Sequence, residues 1–347
     1  RPALRSLLCE YISRSLPGRR VTCAEKTGWH NGVYVLPDEV IGPDGDNVIL
    51  QGSHYLTGGF AQSGTLAEWQ EQVAALCAGN SRLVFAVCCA LAAPLLRLTG
   101  TGGGGFHLRG ESTDGKTTVM KVAASVCGGT DYWHSWRATG NALEGIASRH
   151  NDALLPLDEL REVDPREAGM IAYMLANGQG KGRARTDGEV RNRRHWTLLL
   201  FSTGELSLAE HTECAGERLY AGMDVRMVQI PSDTGQHGSF EQLHGFASGQ
   251  QFADTLCDRV ARFHGTAFRA WLAFLTSDLD ASTTLARELL RRYQTALMPD
   301  NAGNQVQRIV ARFALLAVAG EIATLNGITG WQEGSAYGAV QICLHAW

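Results

Sequence analysis

The spacing of apolar residues changes twice along this chain. Residues 1–60 alternate short apolar runs with turn residues, as small β-structure does, and residues 65–98 contain two helical stretches separated at Gly79 and Asn80. From 106 to about 232, apolar runs of strand length alternate with helical stretches, which predicts an α/β core with a largely parallel sheet. After 250 the apolar residues recur at helical spacing, for example Val306, Ile309, Val310, Phe313 and Leu316.

This pattern predicts three domains. They are an N-terminal β-rich and helical subdomain (1–98), an α/β core (99–248) and a helical, lid-like C-terminal region (249–347). Four consecutive glycines, 102–105, stand at the first boundary. They are interpreted either as a hinge or as the segment that leads into the core, and the sequence leaves both open.

Residues 110–118, directly after the first apolar run of the core, fit the phosphate-binding pattern G-x-x-x-x-G-K-[ST] without a mismatch. Two glycines let the backbone wrap a phosphate chain, a lysine neutralises it, and a threonine hydroxyl is suited to Mg²⁺. A helix that starts at the lysine points its positive end at the same phosphates. The predicted nucleotide-binding residues are Gly110, Ser112, Thr113, Asp114, Gly115, Lys116, Thr117 and Thr118.

Two adjacent carboxylates close the next apolar run of the core, residues 153–157. In ATP-hydrolysing sites the first such carboxylate supports the magnesium ion and the second polarises the attacking water. We therefore expect Asp158 to support the metal together with Thr117, and Glu159 to act as the general base. Pro156 lies inside this run and lacks a backbone donor, so the seating of Asp158 is open.

A strongly basic segment lies between 180 and 194. Asp187-Gly188 is a two-residue hairpin signal, and the arms around it hold six cations against two carboxylates. The predicted DNA-binding residues are Lys181, Arg183, Arg185, Arg191, Arg193 and Arg194. In a chain of net charge −4 this is a local anion-binding surface, for which a phosphate backbone is the obvious partner and a solvated loop the alternative.

A third apolar run, 196–201, ends in a serine and a threonine. In ring-forming ATPases a polar residue at this strand tip senses the γ-phosphate, so Ser202 and Thr203 are candidates, and Ser202 is preferred. Arg226, at the start of a later strand-like run, is the candidate arginine finger for a neighbouring subunit, with Arg218 as the reserve. Either arginine could instead be an ordinary surface or ion-pair residue.

Bulk properties exclude several classes of protein. With 44% hydrophobic and 19% charged residues the chain is globular rather than disordered. Its nine cysteines show no zinc-type spacing, which favours a reducing cytoplasm, and the apolar run 83–96 is too short for a membrane span. Since the chain begins at Arg1 and stops at Trp347, we expect a fragment of a longer protein.

Several segments together resemble the domain-of-unknown-function family numbered 927, which is found in replication proteins of plasmids, integrative elements and phages. They are residues 27–30, 77–83, 110–118, 136–144, 174–181 and 202–205. The resemblance implies an AAA+-like P-loop NTPase core of the helicase kind. It also implies that the basic hairpin projects into the pore of a ring and grips DNA, and that Arg308 or Arg312 serves as a second sensor.

The leading hypothesis is therefore an ATP- and Mg²⁺-dependent DNA-translocating motor of the helicase type, cytoplasmic, not bound to a membrane, and working as a homo-oligomeric ring. The alternative is a nucleotide-gated DNA-binding switch or loader that does not itself unwind DNA. A small-molecule kinase is disfavoured, because the chain offers no separate acceptor site and the basic hairpin would have no role in it.

Overall fold

A computed structural model of the chain describes residues 2–15, 18, 20–51, 59–184, 190, 191, 193–217 and 221–347. A parallel sheet lies at the centre, helices cover both of its faces, and small β-sheets lie on the N-terminal side. The predicted α/β fold class, with a β-rich N-terminal part and a helical C-terminal part, is confirmed.

The N-terminal part begins with a helix that the strand-like pattern did not predict, α1 (Pro2–Arg14). Five short strands follow: β1 (Thr22–Ala24), β2 (Gly28–His30), β3 (Val33–Val35), β4 (Val40–Ile41) and β5 (Val48–Leu50). β1 and β5 pair in parallel, and β2, β3 and β4 form an antiparallel sheet. The next helices are α2 (Leu66–Trp69), a π-helical segment (Gln70–Ala74), α3 (Ala75–Cys77), α4 (Ser81–Ala92) and α5 (Leu95–Thr99).

The strands after the glycine run are β6 (Gly104–Arg109), β7 (His134–Ser135), β8 (Ala153–Asp158), β9 (Arg183–Ala184), β10 (Val190–Arg191), β11 (Leu198–Gly204) and β12 (Met227–Pro231). Five of them form the central sheet in the order β12-β6-β11-β8-β7, and every neighbouring pair is parallel. β6 therefore lies between two strands that follow it much later in the chain. In such sheets ligands bind at the carboxyl ends of the strands, where the strand order reverses.

The helices that connect these strands are α6 (Lys116–Cys127), α7 (Gly140–Arg149), α8 (Pro165–Asn177), α9 (Leu208–Glu213) and α10 (Ala221–Asp224). Alternate residues of β11 pack on opposite faces of the sheet. Leu199 and Phe201 belong to the same apolar core as α4 and α6, whereas Leu198 and Leu200 belong to the core formed with α7, α8 and α9. Because both faces are buried, the first four residues of the strand are all apolar, without alternation.

The C-terminal region is helical: α11 (Gly249–Arg262), α12 (Thr266–Ser277), α13 (Leu279–Leu297), α14 (Asn304–Leu325) and α15 (Ser335–Ala346). α4 packs against α6, α14 and α15, so the largest apolar core contains residues from all three parts of the chain. Within the described residues no helix is both long and apolar enough to cross a bilayer.

Pro156 lies within β8, and the structure shows why it is tolerated. The Trp136 N–H donates to the Asp158 carbonyl (3.0 Å), and the Tyr132 hydroxyl donates to the Leu154 carbonyl (2.6 Å). Leu154, Pro156 and Asp158 therefore direct their backbone polar groups toward the side of β8 on which β7 lies. β7 begins only opposite Leu157. The missing N–H of Pro156 therefore faces a point where β7 offers no acceptor, and the strand continues to Asp158.

Candidate functional site

The phosphate-binding pattern forms a tight loop between β6 and α6. Gly115 has φ +87° and caps α6, and a Cβ there would lie 2.7 Å from the Phe240 ring. A Cβ on Gly110 would overlap the Ser232 hydroxyl. A side chain at either position would therefore meet a neighbouring side chain, and at Gly115 the left-handed backbone also favours glycine.

Lys116 is the first residue of α6, and its side chain folds back across the loop. Its ammonium donates to the Gly110 carbonyl (2.9 Å) and to the Glu111 carbonyl. Asp114 stiffens the far side of the loop, since its carboxylate accepts from Ser232 (3.1 Å) and its carbonyl accepts from the Ser239 N–H (2.8 Å). The lysine charge is therefore held over the N-terminus of α6, where backbone N–H groups attract an anion.

Thr117 and Asp158 meet across the gap between α6 and β8. The Thr117 hydroxyl lies 3.3 Å and 3.2 Å from the two carboxylate oxygens of Asp158. The Thr203 hydroxyl, from the carboxyl end of β11, donates to the same carboxylate. The structure thus brings together the two residues predicted to hold the metal and adds Thr203 to them.

Glu159 follows β8 in a left-handed conformation, φ +57°, which non-glycine residues adopt only at a cost. Its N–H donates to the Thr203 hydroxyl (3.4 Å). Its Oε1 is buried and has no hydrogen-bond partner among the described residues. Burial raises the pKa of Glu159, and the neighbouring carboxylates of Asp158 and Glu205 raise it further.

Ser202 does not lie where its predicted role requires. It is fully buried, its hydroxyl lies 2.9 Å from His107 Nδ1, and it accepts from the Trp136 indole N–H (2.9 Å). Since successive side chains of a strand point to opposite faces, Ser202 turns away from the site and Thr203 turns toward it. Ser202, the preferred candidate, therefore does not face the cavity, whereas Thr203, which the sequence named as the second choice, lines it.

These groups line a cavity of about 240 Å³ at the carboxyl edge of the sheet. Its lining comprises Ser112, Thr113, Asp114, Gly115, Lys116, Thr117, Thr118, Asp158, Glu159, Thr203, Glu205, Gln250, Ala253 and Asp254. Gly110 lines an adjoining cavity on the other side of the loop.

Three residues of this lining, Glu205, Gln250 and Asp254, were not predicted from the sequence. Glu205 directly follows the strand tip and could have been found there. Gln250 and Asp254 are on α11 and hydrogen-bond each other (2.8 Å). The buried Phe252 holds α11 at the site, since its ring packs edge-on against Phe240 with 5.0 Å between the ring centres. Such a contact between two rings cannot be predicted from either local sequence.

Arg226 lies far from the cavity, just before β12. Its carbonyl accepts from the Gly105 N–H (2.7 Å), which places it at the amino edge of the sheet, opposite the phosphate loop. Its guanidinium donates to the Gly222 carbonyl (2.7 Å) and lies 4.6 Å from the centre of the Tyr173 ring. Arg226 therefore cannot serve its own subunit's cavity. Arg218 lies outside the described residues.

Arg312 is not a second sensor. It is buried, and its guanidinium donates to the Val225 carbonyl (3.2 Å) and the Gly103 carbonyl (3.3 Å), also at the amino edge of the sheet. Burial, with the nearby Arg226, lowers its pKa to about 10. Arg308 is exposed on α14 and does not line the cavity.

The basic segment is an antiparallel strand pair, in which Arg183 stands opposite Arg191 and Ala184 opposite Val190. The predicted turn and Arg185 lie outside the described residues, and only the backbones of Arg183 and Arg191 are described. Lys181, Arg193 and Arg194, at the base of the pair, are exposed. The structure thus places three of the six predicted cations side by side on the surface.

Residues 2–195 match the family model described as Domain of unknown function (DUF927), which is more than half of the chain. The chain belongs to the DUF927 family. The predicted resemblance is confirmed. No curated protein matches the chain.

One solved structure, described as "SCCmec type IV Cch - active helicase", superimposes on this DUF927 chain with a TM-score of 0.74 and 20% identity. The match covers 97% of this chain and 61% of that one, so the chain spans less than two thirds of the helicase it is similar to. At this identity the likeness shows the fold, and it confirms the predicted P-loop NTPase-like core.

Two crystal structures of NtrX from Brucella abortus, one with ADP and one with ATP, also match, at 16% and 15% identity. They cover 69% and 83% of this chain and 47% and 70% of theirs. Their TM-scores of 0.26 and 0.30 are too low to carry an argument.

Proposed function

We propose that this DUF927 chain is the ATPase part of a DNA-translocating, helicase-type motor of a mobile-element or phage replication protein. One observation carries the proposal: Lys116, Thr117, Asp158, Glu159 and Thr203 come from three separate elements and line one cavity at the carboxyl edge of the sheet. A phosphate-binding loop, two acidic groups and a strand-tip hydroxyl in one cavity are the parts that hydrolysis of a nucleoside triphosphate requires.

The donor atoms in this cavity fit magnesium. Thr117 and Asp158 offer only oxygen atoms, which Mg²⁺ prefers, and the remaining positions suit phosphate oxygens and water. Within the described part of the chain no group of three or more His, Cys, Asp or Glu side chains could hold a metal by itself, which is consistent with an ion that arrives with the nucleotide. When bound, the ion would neutralise charge on the transferred phosphate.

The protein groups have separate tasks in this proposal. Lys116 leaves its loop carbonyls to neutralise the β- and γ-phosphates. Glu159 accepts a proton from the attacking water, and burial, which raises its pKa, strengthens it as a base. Thr203, bonded to Asp158 and near the Glu159 backbone, positions both carboxylates.

For the DNA partner we propose the basic hairpin. Lys181, Arg193 and Arg194 are exposed at its base, and the chain as a whole is acidic, so a polyanion is attracted to this surface rather than to the whole molecule. We propose that Arg183, Arg185 and Arg191, in the two arms of the predicted hairpin, also bind the DNA backbone.

We further propose that the motor is a ring. The position of Arg226 supports this, because it is half-exposed at the edge of the sheet opposite its own cavity and can complete only the site of a neighbouring subunit. Arg218 stays the reserve candidate. The domain boundaries 1–98, 99–248 and 249–347 are also part of the proposal. We also propose a cytoplasmic location, which the nine unpaired cysteines support.

The test is ATP hydrolysis by the purified protein, with and without single-stranded DNA, beside Glu159→Gln. We expect stimulation by DNA in the unaltered chain and a fall of about 10²- to 10⁴-fold in the variant, as for loss of a general base. Glu167→Gln, an exposed glutamate on α8, is the matched control and should leave the rate unchanged.

The outcomes separate the candidate functions. Stimulated hydrolysis that disappears in Glu159→Gln supports a DNA-coupled motor. ATP binding without DNA-dependent hydrolysis, or hydrolysis without strand displacement by the longer parent protein, supports the nucleotide-gated switch or loader. Hydrolysis that survives in Glu159→Gln rules out the proposed base.

A further inference from the structure

A second basic surface adjoins the hairpin. It is a groove of about 1140 Å³ between β2 of the N-terminal part, the end of α7 and the residues that follow β10. Four cations line it, Lys26, Arg149, Arg193 and Arg194, against one carboxylate, Glu25. Its volume exceeds the usual range for small-molecule pockets, as expected of an open channel for an extended chain.

The walls of this groove are fixed to one another. The Lys26 ammonium donates to the His195 carbonyl (2.9 Å) and to Asn151 Oδ1 (3.3 Å), and the Thr27 hydroxyl donates to the Arg149 carbonyl (2.7 Å). These contacts join β1 and β2 to the C-terminal end of α7 and to the chain that leaves the hairpin. The cations are therefore presented as one preformed surface.

The charged ends of the exposed arginines are available to a ligand. Within the described ranges the side chains of Arg149, Arg193 and Arg194 make no hydrogen bond or ion pair. Arg194 lies over the backbone of α7, where a Cβ on Gly145 would be 3.4 Å from Nη1. Unpaired guanidinium groups in a groove are suited to bidentate contacts with phosphate.

Continuity with the hairpin identifies the kind of partner. Arg193 and Arg194 belong both to the base of the hairpin and to the groove, so a polymer that follows one continues into the other. Tracking of a backbone by a positively charged groove is how proteins bind single-stranded nucleic acid without sequence preference. The half-buried Trp29, held by its indole N–H on the Pro94 carbonyl (2.8 Å), adds an aromatic ring to the lining.

We propose that this groove binds the phosphate backbone of single-stranded DNA and extends its path from the hairpin onto the N-terminal part of the chain. The inference rests on the proposed DNA-binding function and deepens it. Arg149 is the discriminating residue, because it lies in the groove and not on the hairpin. Cys23, whose thiol is free and exposed in the groove, is a second reporter.

The first experiment measures binding of a fluorescein-labelled oligothymidine by fluorescence anisotropy over a range of salt concentrations. We expect Arg149→Ala to weaken binding several-fold and to reduce the salt slope by about 0.7, the value for one lost phosphate contact on a single strand. Lys181→Ala on the hairpin should behave similarly. Arg291→Ala, an exposed arginine on α13, is the control and should bind as the unaltered chain does.

The second experiment uses the unaltered chain. Saturating oligothymidine should slow the alkylation of Cys23 by iodoacetamide, followed by mass spectrometry, more than that of Cys214, which is exposed on α9's C-terminal side. If Lys181→Ala weakens binding while Arg149→Ala does not, and Cys23 stays unprotected, the groove proposal is overturned and the hairpin proposal stands. If the unaltered chain binds no oligothymidine, the DNA-binding function itself fails, and the groove proposal with it.

Discussion

Adjacent residues of β11 provide a sharp test, because the structure assigns them opposite tasks. Thr203→Val keeps the volume of a side chain that is only 1% exposed and removes the hydroxyl that donates to Asp158. Ser202→Ala removes a hydroxyl that lies on the other face, between His107 and Trp136. The two variants therefore separate catalysis from stability.

The magnitudes follow from the two sets of partners. A hydrogen bond to a charged group contributes about 1.5–3 kcal/mol, so loss of the Thr203 bond should lower ATP hydrolysis roughly tenfold to hundredfold. Stability should change little, because Asp158 is only partly buried and also contacts Thr117. In Ser202→Ala the buried indole N–H of Trp136 loses its acceptor, at a cost of about 1–3 kcal/mol in the free energy of unfolding.

The assay is steady-state ATP hydrolysis at saturating nucleotide, normalised to folded protein, with thermal unfolding of each variant beside it. Thr203→Ser, which keeps a hydroxyl, should restore most of the rate. Ser202→Ala should unfold a few degrees lower and hydrolyse nearly normally when folded. A Ser202→Ala rate lower than that of Thr203→Val would refute the assignment of the two faces.

Two further predictions concern pH. Because burial and neighbouring carboxylates raise the pKa of Glu159, hydrolysis should fall on acidification at a pH above the usual glutamate pKa of about 4.3; a rate profile that stays flat down to that value would contradict Glu159 as the base. Burial lowers the pKa of His107 and of His150 to about 4, so both bind protons in the unfolded chain before they do so in the folded one. The stability that they contribute is complete above about pH 6.5 and is lost as the pH falls toward 4, by about 2 kcal/mol each at pH 5. Urea unfolding midpoints at pH 7.5 and 5 measure the loss, and it should shrink in His150→Gln.

The local chemistry of the site was predictable from the sequence. The phosphate loop is a contiguous motif, and its glycines, Lys116 and Thr117 act through backbone geometry that nine neighbouring residues determine. Asp158 and Glu159 could be identified because they are two adjacent carboxylates at the end of an apolar strand, where charge is unusual unless it has a function. The basic hairpin was visible because charge density is a property of composition along a short segment.

The choice between Ser202 and Thr203 was not predictable in the same way. The residues of β11 are buried on both faces, so its apolar pattern carries no alternation that says which face a given residue occupies. Only the register of β11 against β6 and β8 decides that Thr203 points to Asp158. Arg312 was not predictable for the same reason. Its position in a helical pattern is compatible both with an exposed sensor arginine and with a buried arginine that binds backbone carbonyls.

By itself the sequence determined the α/β class, the phosphate loop with its acidic partners and the family, since each of these is recognised from short contiguous segments. The tertiary structure alone decided what distant segments do together. It brought α11 to the cavity, turned Arg226 to the opposite edge of the sheet, and joined Lys26 and Arg149 to the end of the hairpin in one basic groove. Contacts between residues more than a hundred positions apart depend on how whole elements pack, and no short window of sequence contains that information.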